Sequence, residues 1–167
     1  MLEKTAPRTA PLLSRATTDS RTLIHVAWET GEEASYFHGF VAGYAKATFS
    51  ASTADRVVLA SHELVENALR YSLISQSIGY DLAVSSSEVR ISVENGTTLA
   101  RADMLRTQLQ RIQSDPENTY TTELARSLTG TGRRSMLGLA RICHEAHMAV
   151  SVSVIGSTLT VVATCRR

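Results

Sequence analysis

The stretch Ser61-His-Glu-Leu-Val-Glu-Asn-Ala-Leu-Arg-Tyr-Ser72 lies near the middle of this 167-residue chain and decides its fold. It continues a helical pattern that starts near Thr53. The helix has one broad apolar arc, which should face a sheet and is made of Val57, Val58, Leu64, Val65, Ala68 and Leu69. Glu63 and Asn67 stand four residues apart, so they lie on one side of the helix at an edge of that arc. An ordinary solvent border is the default for such a pair, but a carboxylate and an amide at this rim can also line a cleft.

The elements around this helix follow from the period of the apolar residues. The pattern predicts strands over 22–28, 78–84, 89–93, 150–154 and 159–163, and helices over 32–49, 53–72 and 133–147. Most of these strands form hairpins, and the helices should cover one face of the sheet. The sequence therefore predicts an α+β fold, a two-layer α/β sandwich with a mixed, mostly antiparallel sheet.

Composition limits the setting and the partners of the chain. The net charge is +1, so no strong field favours nucleic acid or a membrane surface. No apolar run approaches the roughly 20 residues of a membrane helix, and the N-terminus lacks the apolar core of a signal peptide. The two cysteines, Cys143 and Cys165, form no CxxC motif, which is typical of a reducing cytoplasm. Residues 1–20 hold two of the three prolines and predict a flexible tail before a single domain over 21–167.

Two glycine-containing segments follow the central helix. Val93-Glu94-Asn95-Gly96-Thr97-Thr98 ends the first hairpin and, taken alone, indicates a turn. Gly130-Thr-Gly132-Arg-Arg-Ser-Met-Leu-Gly138-Leu139-Ala140 leads into a helix. Free N–H groups and the helix dipole there favour an anion such as phosphate, and Arg133 and Arg134 add positive charge. A flexible loop with a plain helix cap is the alternative for this second segment.

In their order along the chain, these motifs resemble the N box, G1 box and G2 box of the GHKL ATP-binding superfamily. The N-box pattern Glu-x-x-x-Asn-Ala matches Glu63 to Ala68, and the resemblance is closest to the stand-alone anti-sigma-factor serine/threonine kinases. It covers about residues 22–165 and implies the Bergerat fold. It also implies that Glu63 is the general base and that Asn67 coordinates Mg²⁺, roles that suit a carboxylate and an amide oxygen.

The same resemblance implies an ATP site. Glu94 stands where the G1 box has its adenine-binding Asp, and Thr98 replaces that box's second glycine. Thr158 and Thr160 share a strand face, and either one can support the adenine contact. The residues implied in nucleotide binding are Asn67, Glu94, Gly96, Gly130, Gly132, Arg133, Arg134, Ser135, Leu137, Gly138, Leu139, Thr158 and Thr160. Residues 97–135 would form the ATP lid, a long loop with an amphipathic helix near Met104 to Ile112 and a short one near 124–128.

The resemblance implies a Mg-ATP-dependent protein serine/threonine kinase in a bacterial partner-switching circuit. Its substrate would be a small STAS-type anti-sigma-factor antagonist, its other partner a sigma factor, and a homodimer is compatible with this class. A non-catalytic binding module is the alternative, because Glu94 and Thr98 depart from the G1 pattern. A third hypothesis is an ATP hydrolase in which Glu63 activates water.

Two further groups of residues are not assigned to a functional site. His144 and His147, beside Cys143, could bind a metal, but without a third ligand a partly exposed helix face is the better interpretation. Arg101, Arg106 and Arg111 recur every five residues, which does not keep them on one helical face. They indicate solvated lid residues rather than a nucleic-acid patch.

Overall fold

The computed structural model describes residues 19–29, 35–73, 76–129 and 135–167. The strands are β1 (Arg21–Glu29), β2 (Ser77–Val84), β3 (Glu88–Gly96), β4 (Ala149–Ile155) and β5 (Thr158–Arg166). The helices are α1 (Ser35–Thr48), α2 (Ala51–Tyr71), α3 (Leu99–Ser114), α4 (Pro116–Leu128) and α5 (Ser135–His144). The fold is α+β, as predicted. The tail up to residue 18 and the predicted site residues Gly130, Gly132, Arg133 and Arg134 lie outside the described residues.

The strands form one sheet in the order β1-β2-β3-β5-β4. All of its described pairings are antiparallel, so the prediction of a mixed sheet is wrong. One row of facing residues crosses the whole sheet on its inner side, namely Val26, Tyr80, Val93, Val161 and Val152. The neighbouring row on the outer side is mostly polar and consists of His25, Asp81, Ser92, Val162 and Ser151. One apolar and one polar face are compatible with the predicted two-layer sandwich.

Helix α2 lies over the inner face and contributes more core residues than any other helix among the described residues. Ser50 caps its start by accepting a hydrogen bond from the Thr53 N–H at 3.4 Å. Its buried residues, which contact the core, are Thr53, Ala54, Val57, Ala60, Ser61, Leu64, Val65 and Ala68. Helices α1 and α5 pack beside it. In the described part of the chain, every helix is too short or too polar to cross a bilayer.

The predicted lid is mainly helical, and the expectation of a long loop is wrong. Thr98 begins α3 by accepting from the Arg101 N–H at 3.3 Å. Asp115 ends α3 and also caps α4, accepting from the Asn118 N–H at 3.3 Å. Pro116 therefore occupies the first position of a new helix, where proline loses no hydrogen bond. The Asp-Pro pair is a helix start as well as the predicted stop.

Helix α5 ends at His144, three residues before its predicted end. The chain then reverses through His147, whose φ is +50°, and the Met148 N–H donates to the Ile142 carbonyl at 3.1 Å. His144 and His147 therefore do not share a helix face. Among the described residues no group of three or more His, Cys, Asp or Glu side chains is placed to hold a metal ion.

A buried hydrogen bond joins α2 to the sheet. The hydroxyl oxygens of Ser61 and Tyr80 lie 2.8 Å apart, and both residues are almost completely buried. Burial raises the pKa of Tyr80, which keeps its phenol protonated and able to donate. This bond fixes the height and rotation of α2 over β2.

We expect Ser61→Ala to lower the free energy of unfolding by about 1–3 kcal/mol, because the Tyr80 hydroxyl is left buried without a partner. In a Tyr80→Phe background the same substitution should cost clearly less. Urea denaturation of the two single variants and the double variant measures this coupling. Equal costs in both backgrounds would show that the bond does not stabilise the fold.

Candidate functional site

A small cavity lies between α2, α3, α5 and strands β3 and β5. Its walls are mainly aliphatic and include Leu64, Ala68, Val93, Leu139, Leu159 and Val161. Its volume is about 50 Å³, which holds a few water molecules. Met104 and Leu105 of α3 close one side of this space. The cavity is therefore an apolar cleft that α3 closes on one side.

Amide and hydroxyl groups form the polar part of this cavity. Asn67 lines it from α2, and its Nδ2 is buried without a hydrogen-bond partner. Asn95 and Thr97 line it from the end of β3, and both are 4% exposed. The Asn95 Nδ2 donates to the Gly96 carbonyl at 3.1 Å. A buried amide donor without a partner is costly, so the Asn67 side chain is suited to an incoming acceptor.

Glu63, Asn67 and Gly138 come together where α2 meets the first turns of α5. The Glu63 side chain is 14% exposed, and its Oε1 accepts from Arg141 Nη1 at 2.5 Å. A Cβ on Gly138 would lie 2.5 Å from Glu63 Oε2 and 3.5 Å from Asn67 Nδ2. A side chain at 138 would therefore displace the Glu63 carboxylate from this close contact with the helix backbone.

The other predicted residues of α5 lie at the same place. Leu139 is buried and lines the cavity, and Leu137 is half-buried in the first turn. Ser135 is the first residue of the helix. Gly96 ends β3 and packs against the Gln76 side chain, which a Cβ at 96 would overlap. The structure thus brings together the central parts of the first and third motifs.

Glu94 and Thr160 lie on the opposite face of the sheet. The Glu94 side chain is exposed, and its Oε1 accepts from the Thr160 hydroxyl at 3.1 Å. Thr158 is exposed at the start of β5, opposite Gly96. Side chains alternate along a strand, so Glu94 must point away from the cavity if Val93 faces it. The placement does not fit a role for Glu94 in a ligand site in this cavity, and Asn95 takes the inner position.

The site includes residues outside the sequence-based prediction, among them Asn95, Arg101, Tyr71 and Arg141. Arg101, interpreted as a solvated lid residue, lines the cavity and donates from Nη1 to the Tyr71 carbonyl at 2.9 Å. Tyr71 also lines the cavity. Arg141 lies three residues after Gly138 and so faces α2 one turn further along α5. Its charge on an otherwise apolar helix face is the signal that indicates a partner.

Arg141 is shared between two carboxylates. Its Nε and Nη2 donate to Glu145 at 3.0 and 3.2 Å, while Nη1 donates to Glu63. The hydrogen bonds to Glu145 raise the pKa of Arg141. Burial opposes ionisation of Glu145, but hydrogen bonds from Arg141 and Tyr120 outweigh it and lower the pKa of Glu145. The cluster therefore holds one cation between two carboxylates.

The residues present fit a nucleotide with a magnesium ion. Asn67 offers an amide oxygen, a hard ligand suited to Mg²⁺, beside the buried donor that lacks a partner. The start of α5 provides backbone N–H groups and the positive end of a helix dipole. The apolar walls and the Asn95 amide suit a flat heterocycle.

Comparison with models of known protein families gives no match for this chain, and comparison with curated proteins gives none either. The resemblance to the GHKL superfamily therefore rests on the sequence motifs alone.

We expect Gly138→Ala to stabilise the protein less than Gly43→Ala, or to destabilise it. Gly43 lies in α1, where an added Cβ would have no other atom within 4 Å. Alanine at 43 should therefore add about 0.5–1 kcal/mol through helix propensity alone. At 138 the new methyl group must displace the Glu63 carboxylate. Urea denaturation compares the two variants, and equal gains would contradict the packing of Glu63 on Gly138.

Proposed function

We propose that this chain is a Mg-ATP-dependent protein serine/threonine kinase of the GHKL class, acting in the cytoplasm on a small STAS-type antagonist protein. One observation carries the proposal. Glu63 and Asn67 lie against Gly138, which belongs to a separate motif, and Asn67 also lines the apolar cleft between α2, α3, α5 and the sheet. This juxtaposition supports a site in which a base, a metal ligand and a helix N-terminus act on one phosphate group.

The adenine ring would occupy the apolar cleft. Leu64, Val93 and Leu139 offer flat aliphatic contact, and the Asn95 amide can both donate to and accept from the ring edge. Asparagine pairs with adenine in this two-bond manner in other recognition sites. Asn95 therefore replaces Glu94 as the proposed adenine contact.

The phosphates would lie toward Gly138 at the start of α5. The buried Nδ2 of Asn67 can donate to a phosphate oxygen, and the α5 N-terminus favours the negative charge. Magnesium would be held by the Asn67 amide oxygen together with the phosphates. It would neutralise negative charge on the phosphate oxygens.

Glu63 would act as the general base. Its Oε1 is held by Arg141, and no described side chain donates to Oε2, which lies against Gly138. Oε2 is therefore the atom that can accept the proton of a serine or threonine hydroxyl on the partner. General-base assistance of this kind is worth about 10²–10⁴ in rate.

Helix α3 must move before ATP can enter. Drug-sized ligands occupy clefts of roughly 300–1,000 Å³, and the present cavity is far smaller. Arg101 ties the start of α3 to the Tyr71 carbonyl, and Gln113 ties its end to the Val150 carbonyl at 2.8 Å. Opening the site breaks these two contacts.

A non-catalytic binding module is the second candidate, and the ion pair of Glu63 favours it. Arg141 occupies one of the two carboxylate oxygens, which leaves only Oε2 for a proton. Together with the small cavity that Met104 and Leu105 line, this arrangement suits a domain that regulates by complex formation alone.

Calorimetry with Mg-ATP separates these candidates. We expect micromolar binding by the native chain and at least about tenfold weaker binding by Asn67→Ala, because an amide that contacts both the metal and the phosphates is lost. Glu63→Gln should bind ATP within about threefold of the native affinity. Its rate of γ-phosphate transfer to a STAS-domain protein should fall about 10²-fold or more. Circular dichroism confirms that each variant is folded.

Binding without transfer to any STAS-domain protein would favour the non-catalytic module. A folded native chain that binds no ATP would reject the nucleotide site itself.

Substitution of two adjacent residues tests the adenine contact. We expect Asn95→Ala to weaken ATP binding about 10–100-fold, because a paired hydrogen bond of about 1–3 kcal/mol to the ring is lost. Glu94→Ala should leave the affinity unchanged, since its side chain lies on the outer face. The reverse order of effects would show that Glu94 makes the contact. The same calorimetric titration measures both variants.

A further inference from the structure

We propose that Arg141 is a positioning residue for Glu63 and that it couples Glu63 to the lid helix α4 through Glu145 and Tyr120. The catalytic part of this inference rests on the proposed kinase function. The coupling part concerns the fold alone and is tested separately.

The geometry of Arg141 determines which oxygen of Glu63 is free. Two parallel hydrogen bonds to Glu145, at 3.0 and 3.2 Å, fix the plane of the guanidinium group. Its third nitrogen, Nη1, then points to Glu63 Oε1. Because Oε1 is held, Oε2 is turned toward Gly138 and the start of α5. The orientation of the proposed base is therefore set by a residue on α5 and not by α2 alone.

Helix α4 holds the other end of this chain of contacts. The rings of Tyr120 and His144 stack with their centroids 4.3 Å apart and an angle of 6° between their planes. The Glu145 carboxylate beside Tyr120 raises the pKa of the phenol, which therefore stays protonated at neutral pH. The ring stack thus docks α4 on the residue directly before Glu145, the carboxylate that orients Arg141.

An ion pair within one helix does not by itself account for this arrangement. A pair such as Arg141 and Glu145, four residues apart, stabilises a helix by only about 0.3–0.5 kcal/mol. Here the same guanidinium also reaches Glu63 on α2, and Glu145 is also bound from α4. Groups from α2, α5 and α4 are therefore joined in one line of contacts, with the proposed base at one end and the lid at the other.

Through this line of contacts, the position of Glu63 depends on whether α4 is docked on α5. When α4 leaves α5, Glu145 loses its contact with Tyr120, and the plane of the guanidinium is less restrained. Glu63 then loses the fixed position of its Oε2. Proton abstraction is favoured only while α4 is docked on α5, which is the state in which a bound nucleotide is shielded from water.

Hydrogen exchange of the ligand-free protein tests the coupling. We expect Glu63→Gln, at the far end of the line, and Glu145→Gln to speed amide exchange within Pro116–Leu128 by about threefold or more, because α4 opens more often. Arg106→Gln is the matched control, since it removes an exposed ion pair with Asp103 in α3. Exchange in α4 that is the same in Glu63→Gln as in this control would overturn the coupling, whether or not the protein is a kinase.

Transfer kinetics test the positioning role. We expect Arg141→Lys to lower the rate at saturating ATP about tenfold while KM for ATP stays within about twofold, because the charge remains but the fork is lost. Tyr120→Phe should lower this rate several-fold, and Arg106→Gln should not change it. Full transfer activity in Arg141→Lys would reject the positioning role. Altered exchange without any transfer by the native chain would reject the kinase and retain the coupling.

Discussion

The packing of α2 on the antiparallel sheet is the interaction on which the rest of the structure depends. Its small and aliphatic residues lie directly over the strands, and the bond between Ser61 and Tyr80 sets its rotation. With that rotation fixed, the polar edge of the helix cannot point to bulk solvent. Glu63 and Asn67 are held against α5 instead, where a glycine leaves room for them. The site is thus a direct result of how one amphipathic helix meets a sheet.

Electrostatics then distinguish the two polar residues of that edge. Asn67 is neutral, faces an apolar space and keeps an unused donor. Glu63 is charged and is compensated by Arg141, which is itself shared with Glu145. A buried carboxylate without such a partner would be costly. The pairing allows a charged group to remain next to a cleft that has to accept a polyanion.

The sequence was sufficient for those parts of the fold that depend on local periodicity. The helical spacing of Glu63 and Asn67 and the strands of both hairpins follow from it. The outward position of Glu94 and the inward position of Asn95 were also readable, because Val93 belongs to the buried alternation of β3. The ion pair of Glu63 with Arg141 could not be predicted, since nothing local shows which helix α5 packs against.

Hydrogen bonds hold both ends of helix α3, from Arg101 to the end of α2 and from Gln113 to β4. A helix held in this way can leave the cleft only when both fastenings release together or when one end peels away first. Binding that requires such a conformational change is slower than free diffusional encounter, so at high ligand concentration the opening of α3 would limit association. Release would be limited in the same way. A molecule enclosed beneath α3 would therefore have a long residence time for its affinity.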